Sequence, residues 1–65
     1  MAKGIEGKLE TADDYYDVAV LYMEFGRYQS AIDNLNTAMS ITPNFPDALI
    51  LLEFAIQNKR NTRNR

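Results

Sequence analysis

With 65 residues the chain has room for one domain, and a domain this small buries only a modest part of its surface. Hydrophobic residues at 46% and charged residues at 25% give the balance of a folded globular chain, which excludes a disordered acidic tail. The absence of cysteine and histidine excludes a disulfide framework, a thiolate nucleophile and the commonest general base and metal ligand, while leaving the redox compartment open.

The segment after Met1, AKGIEGKLE, lacks the apolar core of a signal peptide, and no apolar run approaches the roughly 20 residues that cross a bilayer. A soluble, cytoplasmic protein without membrane contact is the expectation. Residues 1–10, with Gly4 and Gly7 and no sustained periodicity, read as a flexible leader ahead of a helical domain over 11–60. The first firm signal is Thr11 followed three residues later by Asp14, the aspartate form of a capping box. Asp13, Asp14 and Asp17 fall where the helix dipole favours acids, so the spacing predicts a helix over 13–25. Gly26 stands where a left-handed residue would end it.

A second helix is predicted over 28–41, with Tyr28, Ile32, Leu35 and Met39 at steps of four, three and four, and Ala31 and Ala38 beside them. It has one apolar face. Pro43 stops it by restricting Thr42, and Pro46 suits the first position of a third helix, predicted over 47–59. There Ala48, Leu49, Ile50, Leu51, Leu52, Phe54, Ala55 and Ile56 cover most of the circumference, leaving a polar edge at Glu53, Gln57 and Arg60. The first helix is likewise apolar on two sides, along Tyr15, Val18, Ala19 and Tyr22 and along Tyr16, Val20 and Met23. The middle helix therefore has one sticky side and its neighbours have two each.

The formal net charge of -2 conceals an asymmetry. All nine acids lie between Glu6 and Glu53, against two bases there, Lys8 and Arg27, whereas the ending KRNTRNR carries Lys59, Arg60, Arg63 and Arg65. With nothing apolar to pack, residues 61–65 read as a basic, mobile tail.

The fold expected is all-α, a helical hairpin followed by a third antiparallel helix. Tyr15-x2-Val18-Ala19-x2-Tyr22, then Ala31-x3-Leu35, Ala38 and Pro43, with Gly26 and Tyr28 at the turn, resemble the tetratricopeptide repeat. The resemblance covers Ala12 to Phe45, one unit of about 34 residues, and half of a second in which Leu49, Leu52 and Ile56 take the places of Tyr15, Val18 and Tyr22. Small residues facing large ones are what let antiparallel helices approach closely. Two positions depart from the pattern: Tyr15 replaces tryptophan, and Glu53 holds the small-residue place equivalent to Ala19.

The resemblance implies a non-enzymatic scaffold or adaptor whose first and third helices line a concave groove for a segment of another protein. The groove positions it implies are Asp13, Tyr16, Asp17, Val20, Met23 and Glu24, then Asp47, Ile50, Leu51, Phe54, Gln57 and Asn58. Tyr16 and Val20 stand where carboxylate-clamping members carry lysine and asparagine, so an acidic peptide terminus is not the expected ligand. An apolar floor with an acidic edge fits an amphipathic helix or extended segment that is apolar on one side and basic on the other. Since stacked repeats usually need about three units, a homodimer or higher oligomer is also expected, with Ile50, Leu51 and Phe54 packed against a copy of themselves or into the neighbouring groove, so that Phe54→Asp would give a monomer of lower helicity. No nucleophile with a base, phosphate loop or metal-ligand spacing is present, so neither an enzyme nor a cofactor is expected, and Asp13, Asp14 and Asp17 read as dipole partners rather than a cation site. Alternatives are a small nucleic-acid-associated protein using the basic tail, disfavoured by the acidic body, and an excised or engineered piece of a longer array.

Overall fold

The computed structural model describes residues 11–63, which form three helices, α1 (Ala12–Glu24), α2 (Tyr28–Ile41) and α3 (Pro46–Arg63), with no strand among the described residues. The leader expected over residues 1–10, and Asn64 and Arg65 at the other end, lie outside them.

The capping box forms as spaced. The Asp14 amide donates to the Thr11 hydroxyl oxygen and the Thr11 amide to the Asp14 carboxylate, each at 3.2 Å, so two otherwise unpaired donors at the helix start are satisfied together. This fixes the start of α1 at Ala12, one residue earlier than expected, and its end moves likewise to Glu24 with Phe25 as the cap. Gly26 follows at φ 78°, the left-handed conformation that costs a residue with a Cβ about 1–2 kcal/mol. Around it the Arg27 amide donates to the Tyr22 carbonyl at 2.8 Å and the Gly26 amide to the Met23 carbonyl at 3.1 Å, the paired bonds of a Schellman motif. A Cβ on Gly26 would meet no heavy atom within 4 Å. Gly26→Ala should therefore lower stability by the backbone cost alone, about 1–2 kcal/mol, seen as a lower urea midpoint at unchanged slope.

The second helix has no side-chain cap at Arg27 and no acid in its first turn. It is held by packing, because it lies against both neighbours while α1 and α3 scarcely touch each other. Thr42 and Pro43 end it, and Pro46 opens α3 with the Leu49 amide bonded to the Phe45 carbonyl at 3.1 Å.

The interior is made of small side chains. Ala12, Ala19, Ala31, Ala38, Ala48 and Ala55 are buried, and Leu35 on α2 is the one large side chain fully enclosed among the described residues. Helix axes approach most closely where alanines meet. Larger groups, among them Tyr22, Ile32, Met39 and Leu52, surround this seam and are only half-buried.

The third helix corrects one expectation. It continues to Arg63 instead of ending near Lys59, so residues 61–63, expected in a mobile tail, are helical. No glycine or proline interrupts NKRNTR, and cations near a helix C-terminus complement its dipole. The Lys59 ammonium also reaches back to α2, donating to Gln29 Oε1 at 2.6 Å, and Gln29 in turn donates to Asp33 Oδ1 at 3.0 Å. These groups are exposed, so the link steers α3 more than it stabilises it.

Candidate functional site

Because α1 and α3 are each applied to α2 and hardly to one another, a groove opens between them. Its two hollows, about 470 Å³ and about 320 Å³, share Leu51 and Phe54 as their common wall. The larger is lined by Tyr16 from α1 and by Asp47, Ile50, Leu51, Glu53, Phe54 and Gln57 from α3. The smaller runs between Val20, Met23 and Glu24 of α1 and Leu51, Phe54 and Asn58 of α3, with Tyr28 at its end. Helical periodicity brings these together: Tyr16, Val20, Met23 and Glu24 recur at steps of four, three and one on α1, and Asp47, Ile50, Leu51, Phe54 and Asn58 at steps of three, one, three and four on α3.

The floor and the ridge of the groove differ in kind. Tyr16, Met23 and Leu51 are half-buried and pack on the alanine core, so they are structural as well as available. Tyr16 is further fixed by the Phe45 ring, whose centroid lies 5.4 Å away at a 36° tilt. Ile50 and Phe54, in contrast, remain 65% and 59% exposed. Covering an apolar side chain of that size fully is worth about 1.5–3 kcal/mol, so these two are the groove's largest uncovered apolar groups.

Neither a protein-family model, nor a curated protein, nor a solved structure matches the chain that carries this groove.

Of the groove residues expected from sequence, Tyr16, Val20, Met23, Glu24, Ile50, Leu51 and Phe54 do come together, with Asp47, Gln57 and Asn58. Asp13 does not. It lines a separate hollow of about 170 Å³ with Thr42 and Phe45, because the α2–α3 connection returns to the start of α1. Asp17 is exposed and lines neither part of the groove. Glu53, read from sequence as part of the polar edge of the third helix and as a departure at the small-residue place equivalent to Ala19, stands on the groove rim. Its position three residues after Ile50 and four before Gln57 was the available signal. The acidic edge is thus Asp47, Glu53 and Glu24, and no lysine or arginine lines either hollow.

The residues assigned to packing within the repeat-like unit divide by size. Ala19, Ala31, Leu35 and Ala38 are fully enclosed, whereas Tyr15, Val18, Tyr22 and Tyr28 are half-buried around them and Gly26 and Pro43 sit exposed in the turns. Outside the groove, α3 also exposes Leu49 and Ile56, α1 exposes Leu21, and its cap Phe25 is exposed as well. Among the described residues no three acids, histidines or cysteines are grouped so as to hold a metal ion, and no helix is long and apolar enough to cross a membrane.

Proposed function

We propose that the chain is a tetratricopeptide-like, non-enzymatic protein-interaction module, a scaffold or adaptor whose α1–α3 groove holds an amphipathic segment of another protein. One observation carries this reading: Ile50 and Phe54 stand open to water in a groove whose charged rim is made only of carboxylates. An isolated exposed leucine means little, but apolar side chains gathered in a concave, acid-rimmed channel match a guest with an apolar row and a basic flank. The half-buried Met23 and Tyr16 suit adaptable contact with such a guest. The hairpin with buried small residues at Ala19, Ala31 and Ala38, turned at Gly26 and followed by a third helix, supports the repeat-like reading.

The test is titration of a labelled helical peptide with leucines on one side and lysines on the other, followed by anisotropy, beside a charge-inverted copy with glutamates. The expected result is saturable binding of the basic peptide that weakens with added salt and no binding of the acidic one. Equal binding of both peptides, binding of neither, or retention of RNA in place of the peptide would replace this reading.

A further inference from the structure

Early residues of α1 and α3, Tyr16 and Asp47, line the larger hollow, and late ones, Glu24 and Asn58, line the smaller, so the two helices run side by side in one direction and the groove follows both. From Tyr16 to the α1 residues of the smaller hollow the chain advances about six residues, or ~9 Å at ~1.5 Å per residue; on α3 the centres of the two linings differ by about two residues, or ~3 Å. The hollows are therefore about 6 Å apart, close to one helical turn, with Leu51 and Phe54 between them. Resting on the groove reading above, we propose that the guest is α-helical and seats two apolar side chains four residues apart, one on each side of Phe54, with a lysine or arginine near each.

Hydrogen bonding favours a helix over an extended segment. Both walls are helices, whose amides and carbonyls are paired along their own axes, so no strand edge is offered to a guest among the described residues. Val20, Ile50, Leu51 and Phe54 bring no hydrogen-bonding group, and the rim carboxylates accept without donating. The Asn58 side-chain amide already donates to the Phe54 carbonyl at 2.9 Å. An extended backbone would lay its carbonyls over this floor with few donors to meet them, whereas a helix pairs its own. Spacing then selects the anchors. Residues four apart on a helix share a face and stand about 6 Å apart, while residues seven apart stand about 10.5 Å apart, beyond the separation along either wall. Charge selects the flanks: Asp47 and Glu53 stand at the larger hollow and Glu24 at the smaller, and no lysine or arginine lines either, so a base within a turn of each anchor meets a carboxylate.

The experiment titrates the full chain into labelled alanine-based peptides that carry the same lysines and two leucines, with affinity read by anisotropy. In the first the leucines are four apart, in the second seven apart, and in the third two apart across a proline, which sets them about 6 Å apart on a chain that is not helical. The first should bind most tightly, and the second, which can seat only one anchor at a time, about tenfold or more weakly. The proline peptide should fall behind by a similar factor, because its backbone lies unpaired on the floor. In Phe54→Ala the gap between the first two should narrow, since the ring divides the hollows. Binding of the proline peptide as tight as that of the first would make the guest extended, and equal binding of the seven-spaced peptide would remove the two-anchor register; either overturns this proposal and leaves the groove reading standing. Binding of none of the three ends both, and a solution mass twice the chain's own would then give the groove to a second copy.

Discussion

Leu35→Ala should leave the chain largely unfolded at room temperature. Leu35 sits on the helix that touches both others, and it is the one large side chain fully enclosed among the described residues. Removing it costs the transfer energy of the lost groups and leaves a cavity that flanking alanines are too short to fill, together about 2–5 kcal/mol. A single core in a domain of this size rarely supplies more than about 3–5 kcal/mol. The loss is therefore comparable with the whole. Far-ultraviolet circular dichroism through a urea titration measures it, with Ile41→Ala as the control because Ile41 is exposed. If Leu35→Ala unfolds cooperatively near the midpoint of the natural chain, the alanine seam alone holds the helices and the central role given to Leu35 is wrong.

Phe54→Ala should weaken capture of the basic amphipathic peptide by about 30-fold without loss of helicity. Phe54 is the shared wall of both groove hollows, so its ring is the contact a guest meets wherever it lies. A central aromatic anchor of this kind is typically worth about 2 kcal/mol of binding, which corresponds to that factor. Because the side chain stands largely in water, its truncation leaves the core intact. Glu24→Gln, on the rim, should change affinity little and reduce the salt dependence. The two variants together separate the apolar contribution from the electrostatic one. Unchanged affinity in Phe54→Ala would move the binding surface away from the groove.

The helix boundaries were legible because the chain marks them with residues whose backbone chemistry is restrictive. Thr11 with Asp14, Gly26, Pro43 and Pro46 each permit few conformations, and each acts in the structure as its chemistry requires. The end of α3 was not legible from its apolar pattern. Periodicity ends at Ile56, but it reports where burial stops, and an exposed polar helix can continue past that point until its own propensity fails. Asp13 was misplaced for a related reason. Its position on the wheel beside Tyr16 says nothing of where the α2–α3 connection will run, and that connection brings Phe45 to Tyr16 and Thr42 to Asp13. The burial of the tyrosines was also beyond the pattern, since periodicity separates inward from outward but does not say that alanines would fill the centre and leave larger groups at its margin.

The alanine interior has a calorimetric consequence. Small methyl groups bring little fresh hydrocarbon into contact with water when the helices separate, so the heat capacity of melting is low for the chain length. Stability then changes gently with temperature, and the chain keeps nearly the same margin in the cold as at moderate warmth, where a bulkier interior would show a sharper optimum.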